Sequence, residues 1–156
     1  MTQEDEQLLL KDLLPRIPYL AKIKLGDYDY QVCGYDPTNS QPVRIFFYKN
    51  DVKYYASIYV KDYCPYLRPM SSMTEEEAKE IAILHDIKDI LSVKVTSDYI
   101  DVIVDDGVCS TERRTIWYDE LISSIECFDW LNRHHFDYRG LIEKGLALVA
   151  PKNMYN

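Results

Sequence analysis

A His-His-x-Asp run, formed by His134, His135 and Asp137, holds the side chains of this chain best suited to bind a metal ion. Zinc and manganese sites need two or three imidazole or carboxylate ligands that converge on one point. Neighbouring residues of an α-helix point about 100° apart, so the two histidines cannot share an ion if a helix continues through them. Histidines near a helix C-terminus more often interact with its free carbonyl groups. We therefore predict a structural pair with no bound metal, and keep a small metal-dependent hydrolase or nuclease as the alternative.

Carboxylates also gather at Asp101, Asp105 and Asp106, where a predicted strand ends. Metal-dependent nucleases hold carboxylates at such places and usually add a Glu-x-Lys triplet on a neighbouring strand. The sequence contains one match to that triplet, Glu77-Ala78-Lys79, and it lies in a predicted helix. The pattern is therefore more typical of a turn with solvated charges, and we predict no catalytic residue and no cofactor.

Tyrosine is unusually frequent: the chain has 14, and nine of them lie between Tyr28 and Tyr66. Tyrosine gives a large contact area at a low cost in conformational entropy and is enriched in protein interfaces. Tyr55 and Tyr59 fall on the lysine-bearing face of a predicted strand, and Tyr63 begins the segment that follows. Either a partner protein or a helix of the same chain is expected to cover that face.

The net charge is −8, from 18 basic and 26 acidic residues. Binding to a nucleic-acid backbone needs clustered lysine and arginine, so direct nucleic-acid binding is not expected. An acidic face that mimics a nucleic acid is a further alternative. The four cysteines form no Cys-x-x-Cys motif, and no segment resembles a signal peptide or reaches the ~20 apolar residues that span a bilayer. We expect a cytoplasmic protein with reduced thiols and no membrane contact.

The order of elements predicts an α+β fold in a single globular domain over residues 1–156. Thr2 precedes a helix that reaches about Leu14, and Thr74–Glu77 has the pattern of a capping box that starts another helix. Hydrophobicity with period two predicts strands paired as hairpins, so the sheet of about five to six strands should be mainly antiparallel, with helices packed on one face. Two prolines place Tyr63–Pro69 outside the sheet, and Ser110–Thr115 is expected to be a polar connection.

The clearest predicted hairpin joins Val43–Tyr48 to Val52–Lys61 through the turn Lys49-Asn50-Asp51. Side chains alternate between the two faces of a strand, and a shift of one residue would exchange the two sets. The second strand is expected to place Tyr54, Ala56 and Ile58 in the core, with Tyr55 and Tyr59 on the opposite face.

After a helix that contains Trp130, the sequence predicts a corner and then a second helix over Tyr138–Lys144. Asp137 is expected to cap that second helix, and Gly145 to end it in the left-handed conformation. Gly140 falls inside it, where glycine is unfavourable unless a neighbouring group approaches too closely for a β-carbon. The corner is therefore predicted to be an architectural clasp, with Trp130 packed across the junction.

The sequence contains two distinctive blocks, Y-L-R-P-M-S-S-M-T-E-E-E from Tyr66 to Glu77 and W-L-N-x-H-H-F-D-Y-R-G-L-I-E-K-G-L-A from Trp130 to Ala147. They resemble segments of small uncharacterised proteins from gut Bacteroidales genomes and from their phages or other mobile elements. The resemblance implies a cytoplasmic accessory protein, of phage or mobile-element origin, and it assigns no activity and no catalytic residue.

These features predict a non-enzymatic accessory protein that binds another protein through its tyrosine-rich strands or through the Trp130–Arg139 corner. The absence of a convergent catalytic set and the excess of tyrosine both favour this function over an enzyme. The candidate binding residues are Tyr55, Tyr59, Tyr63, Tyr66, Trp130, His134, His135, Asp137, Tyr138 and Arg139.

Overall fold

The computed structural model describes residues 1–36, 43–49, 52–108 and 110–155, without the side chains of residues 43, 44, 49 and 55–57. The fold class is α+β, as predicted. The chain divides into two compact units, and each has its own sheet: unit 1 comprises Met1–Leu67 and Arg139–Asn156, and unit 2 comprises Arg68–Tyr138. The single domain predicted over residues 1–156 stays a prediction.

The described residues form four α-helices and nine strands. The sheet of unit 1 is mixed: its six strands are antiparallel neighbours except for one parallel pair at the C-terminal end of the chain. The sheet of unit 2 has three antiparallel strands. In chain order the elements are α1 (Gln3–Leu13), β1 (Lys22–Leu25), β2 (Tyr28–Asp36), β3 (Val43–Lys49), β4 (Val52–Ile58), β5 (Tyr63–Leu67), α2 (Glu75–Leu84), β6 (Ile90–Val95), β7 (Tyr99–Asp105), β8 (Thr111–Trp117), α3 (Tyr118–Leu121), α4 (Ile125–Arg133) and β9 (Leu148–Val149).

Each unit has its own hydrophobic core. The strand order is β4-β3-β2-β1-β5-β9 in unit 1, where α1 contributes Leu9 and Leu13 to a core built on the sheet. The order is β6-β7-β8 in unit 2, where α2 and α4 pack on one face of the sheet. That face is formed by alternate residues of the central strand, as expected for a half-covered antiparallel sheet: Ile100, Val102 and Val104.

Capping boxes start the first two helices, and the predicted one at Thr74 is confirmed. The Glu77 N–H donates to Thr74 Oγ1 at 3.2 Å, and the Thr74 N–H donates to Glu77 Oε2 at 2.8 Å. Thr2 and Asp5 form the same reciprocal pair at the start of α1. Each box satisfies N–H groups that have no partner inside the helix, which is why the helices begin where the sequence places them.

The prediction that Tyr63–Pro69 lies outside the sheet is wrong, because β5 occupies most of that segment. β5 pairs with β1, and Pro65 lies opposite Ile23. On its other side β5 pairs with β9, but that pairing begins only at Tyr66. Within the described part of the chain, Pro65 therefore has a neighbouring strand on one side only, and a proline is tolerated where one edge of its strand makes no ladder.

Ser110–Thr115 was expected to be a connection, and this prediction is also wrong, because Thr111 begins β8. The strand pairs with β7 from Asp105↔Thr111 to Tyr99↔Trp117. Its first five residues are all exposed, so the apolar alternation that marks a half-buried strand is missing. Only Ile116 of β8 reaches the core of unit 2.

The predicted hairpin forms, and its register is partly as expected. Ile58 is buried and Tyr59 is 49% exposed, which agrees with the predicted faces. Tyr54 was expected in the core, but it is 46% exposed. It shares the face of Ile58, and the core of unit 1 does not extend that far along β4. The predictions for the side chains of Tyr55 and Ala56, and for the turn at residues 50 and 51, lie outside the described residues.

The corner begins as predicted but its second helix does not form. Ser124 caps α4, and the helix ends at Arg133. Residues 138–144 form hydrogen-bonded turns instead of a helix, and Leu146 N–H closes them on the carbonyl of Leu141 at 2.9 Å. Gly145 has the predicted positive φ, +68°. Gly140 also has a positive φ, +67°, and a β-carbon there would meet nothing within 4 Å, so backbone conformation and not close approach requires this glycine.

Candidate functional site

Four aromatic rings form a continuous row across β2, β3 and β4, which we call the aromatic row: Tyr28, Tyr30, Phe47 and Tyr54. The centroid distances along it are 6.5 Å, 4.6 Å and 6.2 Å, within the range of favourable ring contacts. The central Phe47 is buried, while Tyr28 at one end is 60% exposed and Tyr54 at the other is 46% exposed. The row is therefore anchored in the core of unit 1 and open to solvent at both ends.

Strand register explains why these rings line up. Phe47 lies directly opposite Tyr54 on β4 and opposite Val32 on β2. Tyr30 and Tyr28 lie two and four residues before Val32, and they share its face because side chains alternate along a strand. A bulge at Cys33 then interrupts β2, and Gly34 follows it next to Phe46. A β-carbon on Gly34 would lie 3.2 Å from Phe46 Cδ2, so a larger residue would disturb this part of the sheet.

The tyrosines that the sequence favoured as a binding face are placed differently. Tyr63 is 1% exposed, and its burial raises the pKa of its hydroxyl. Tyr66 is also buried, and burial together with the hydrogen bond that its hydroxyl donates to Asp29 Oδ1 (2.8 Å) raises its pKa to about 12. Tyr59 is exposed, and Lys61 Nζ lies 5.4 Å from the centroid of its ring. The side chain of Tyr55, the fourth of these tyrosines, lies outside the described residues.

A buried ion pair lies in the core of unit 1, and Arg139 lies beside it. Arg16 donates two hydrogen bonds to Asp12, from Nε at 2.9 Å and from Nη2 at 2.8 Å, and both side chains are almost fully buried. Arg139 Nε lies 3.5 Å from Asp12 Oδ1, and its side chain is 16% exposed. Arg139 is thus a second cation beside a buried carboxylate, which is a structural position.

The remaining corner residues belong to unit 2, where aromatic and cationic groups stack on one another. The rings of Trp130 and His134 are 3.9 Å apart, and those of Trp130 and Phe136 are 5.7 Å apart and nearly parallel. The guanidinium of Arg68 lies 4.2 Å from the centroid of Phe136 and donates two hydrogen bonds to Glu77. We call these side chains, including His134, the clasp. Trp130 thus packs on two residues of the segment that follows α4, and the second helix of the predicted junction does not form.

His134 and His135 have different surroundings and make different hydrogen bonds. His135 is buried with a positive φ of +58°, and its carbonyl accepts a hydrogen bond from the N–H of Arg68 at 2.8 Å. Asp137 is also buried, and its N–H donates to the Arg68 carbonyl at 2.8 Å. His134 Nδ1 lies 2.9 Å from the Trp130 carbonyl, which is the helix-end interaction expected from the sequence. Tyr138 donates a hydrogen bond to Asn132 at 2.8 Å.

Asp101 and Asp105 of β7, and Asp106 directly after it, accept hydrogen bonds from other groups of unit 2. Arg113 donates two hydrogen bonds to Asp101, and Thr115 donates a third, which together hold the pKa of Asp101 below its ordinary value of 3.8. Asp105 accepts the Gly107 N–H and Asp106 accepts the Val108 N–H, both at 2.9 Å, as in a tight polar turn. In residues 1–36, 43–49, 52–108 and 110–155, no three His, Cys, Asp or Glu side chains are grouped so that they could hold a metal ion.

Charge divides unequally between the two units. Unit 1 has 11 basic and 10 acidic residues, a net charge of +1, and unit 2 has 7 basic and 16 acidic residues, a net charge of −9. The tyrosines divide in the opposite sense, with 11 in unit 1 and 3 in unit 2. The acidity of the chain is therefore a property of unit 2, and the tyrosine excess is a property of unit 1.

No protein-family model, curated protein or solved structure matches this chain. No helix among the described residues is long and apolar enough to cross a bilayer. The sequence alone did not predict the aromatic row as a unit. Recognising the row would have required the pairing of Phe47 with both neighbouring strands, which is not a local property of the sequence.

Proposed function

We propose that this protein is a non-enzymatic accessory protein that binds another protein through the aromatic row of unit 1. The observation that carries the proposal is a set of four touching rings, anchored by buried Phe47 and exposed at Tyr28 and Tyr54. Exposed tyrosines with a buried aromatic anchor are typical of the residues that dominate binding energy in protein interfaces.

The row is also suited to binding because its rings are already held by one another. A side chain that must be ordered on binding costs about 0.5–1.5 kcal/mol, and ring contacts in the free protein reduce that cost. Val52, which lies two residues before Tyr54 on β4, is 53% exposed and extends the apolar surface. Unit 1 as a whole has a net charge of only +1, so apolar contact and tyrosine hydroxyl groups would determine which partner binds.

The setting of this function is proposed from the sequence. The resemblance to small proteins of gut Bacteroidales genomes, phages and mobile elements supports an accessory role in such an element. Among the described cysteines, Cys33, Cys64 and Cys127 are free thiols, which supports a cytoplasmic location.

Capture from extracts of the native host tests the proposal when three proteins are compared. The first is the wild type, and the second carries Tyr28→Ser and Tyr54→Ser, which remove both exposed ends of the row. The third carries Tyr59→Ser, which removes a tyrosine of similar exposure outside the row. We expect the wild type and Tyr59→Ser to retain the same protein, and the double variant to lose it while its thermal unfolding stays close to that of the wild type.

A captured protein counts only if the purified pair binds in a titration and the double variant weakens that binding at least tenfold. If the double variant retains every protein that the wild type retains, the aromatic row is not the binding surface. Loss through Tyr59→Ser alone would instead favour the face predicted from the sequence.

A second candidate function is binding of a basic partner, or nucleic-acid mimicry, by unit 2. Its net charge of −9 supports this candidate. Contacts between exposed charges weaken as salt screens them, whereas apolar contacts do not. Repeating the capture at low and high salt separates the two, because a partner of unit 2 should be basic and released by salt, and a partner of the aromatic row should be retained.

A further inference from the structure

β4 is the outermost strand of the six-stranded sheet, and β3 is its only paired neighbour among the described residues. It is seven residues long, and Lys53 is its single charged residue. Exposed edges are normally protected by charges, proline or a bulge, because an unpaired row of N–H and C=O groups accepts another strand. The pairing of β4 with β3 is regular from Val43↔Ile58 to Lys49↔Val52, without a bulge, and β4 contains no proline.

β8, one of the two edge strands in the sheet of unit 2, shows how charged residues protect an edge in the same chain. It is also seven residues long, and it carries three consecutive charged residues, Glu112, Arg113 and Arg114. If β8 paired in antiparallel fashion with the β8 of a second copy along its full length, Arg114 would fall opposite its own counterpart. Like charges directly opposite one another are destabilising, so the sequence of β8 opposes self-pairing.

β4 is complementary to itself in the equivalent register. Full-length antiparallel pairing of two copies about a two-fold axis puts Val52 opposite Ile58, Lys53 opposite Ser57 and Tyr54 opposite Ala56, with position 55 opposite itself. Apolar positions meet apolar or aromatic positions on one face. The two lysines lie four residues apart along the paired strands, about 13 Å, which exceeds the distance over which exposed charges interact strongly in physiological salt.

We propose that two copies of this chain associate by antiparallel β4–β4 pairing into a two-fold dimer with one continuous sheet of twelve strands. Equivalent residues face the same side of such a sheet, so the two aromatic rows share one surface. Tyr54 of one copy becomes the diagonal neighbour of Tyr54 in the other, about 7–8 Å away and within reach of aromatic side chains. The dimer thus joins both rows into one surface, and this last consequence rests on the proposed function.

Single-cysteine cross-linking tests the register directly. Position 55 is the one position that falls opposite itself, so Tyr55→Cys should give a covalent dimer with a short bis-maleimide reagent. Lys53→Cys is the matched control, because its counterpart lies four residues away along the partner strand. The unsubstituted protein, which has four cysteines of its own, sets the background. A Lys53→Cys dimer formed as efficiently as the Tyr55→Cys dimer, or no Tyr55→Cys dimer above background, would overturn the proposal.

Sedimentation equilibrium over a range of concentrations measures the association itself. The wild type should show a reversible monomer–dimer equilibrium, and Tyr55→Lys should weaken it roughly fivefold or more because it sets two like charges opposite each other. Tyr59→Lys, just beyond β4, should leave the equilibrium unchanged. Circular dichroism checks that each variant is folded. A wild type that stays monomeric at every concentration would refute the dimer, and partner capture by that monomer would leave the proposed function standing.

Discussion

Unit 1 and unit 2 use aromatic side chains in opposite ways. In unit 1 the aromatic row runs from the core out to solvent. In unit 2 the clasp turns its rings inward, where Trp130 and Phe136 are buried. An excess of aromatic residues therefore does not by itself locate a binding surface. What matters is whether a row of rings is anchored in the core and exposed at its ends, as the aromatic row is.

The two units can be followed separately, because both tryptophans, Trp117 and Trp130, belong to unit 2. Tryptophan fluorescence therefore reports unfolding of unit 2. Near-ultraviolet circular dichroism of tyrosine reports mainly unit 1, which holds 11 of the 14 tyrosines. A substitution in one unit can therefore be assigned to the unit that it destabilises.

Trp130→Ala should have the largest effect, a loss of about 3–5 kcal/mol in the free energy of unfolding of unit 2. It removes the ring that contacts both Phe136 and His134 and leaves a cavity in the core. Tyr54→Ala in the aromatic row should cost less than about 1 kcal/mol, since substitutions of exposed side chains rarely cost more. Urea unfolding checks both values. If the two losses are equal, the contrast between clasp and row fails.

Arg16→Ala should destabilise unit 1 by about 3 kcal/mol, near the lower end of the range for breaking a buried ion pair. Arg139, 3.5 Å from Asp12, limits the loss because a cation remains beside the buried carboxylate. The double change Asp12→Leu with Arg16→Met should recover part of the stability, since it removes both charges of the buried pair, although Arg139, 16% exposed, loses the carboxylate beside it. Urea unfolding monitored by tyrosine circular dichroism measures each variant, and a double variant weaker than Arg16→Ala would contradict this account.

Gly140→Ala should cost about 1–2 kcal/mol, because alanine is strained at a φ of +67°. The reason differs from the close approach that the sequence suggests, since a β-carbon would meet open space. Gly140→Asn is a matched variant, because asparagine tolerates the left-handed conformation better than alanine does. Thermal unfolding should rank the three proteins glycine, asparagine, alanine. An alanine variant as stable as the wild type would show that this backbone conformation carries no cost.

Asp101→Asn should have the smallest effect, a loss of stability at neutral pH that shrinks as the solution is made acidic. Because the pKa of Asp101 is lowered on folding, its charge stabilises unit 2 above the ordinary value of 3.8, and this stabilisation is lost as the pH falls through the lower folded pKa. As the pH falls below about 4, the free energy of unfolding should therefore decrease less in the variant than in the wild type. Asp119→Asn, at an exposed carboxylate, is the control. Equal acid sensitivity of wild type and Asp101→Asn would contradict the prediction.

Local patterns predicted the elements whose signals are local. The capping box at Thr74 and the left-handed Gly145 are properties of a few adjacent residues. β8 escaped prediction because five successive exposed residues show no alternation, and β5 escaped because pairing on one side tolerates Pro65.

The candidate site was less predictable than the fold for the same reason. Tyr63 and Tyr66 lie in a tyrosine-rich stretch like Tyr54, and only the strand order decides that the first two are covered. The short strand β9 and the hydroxyl of Tyr155 cover one side of β5: that hydroxyl accepts the Lys22 N–H at 3.2 Å and donates to the Tyr66 carbonyl at 2.7 Å. Contacts across such a long stretch of sequence leave no periodic signal.

The pairing of β5 with β9 also has a consequence for the order of events during translation. Tyr66 lies opposite Leu148, so roughly 80 residues must be synthesised between one strand of this pair and the other. All of unit 2 lies in that interval. A ribosome therefore releases every residue of the clasp before it supplies the strand that completes the sheet of unit 1. The unfinished edge of β5 stays open in the nascent chain throughout that time.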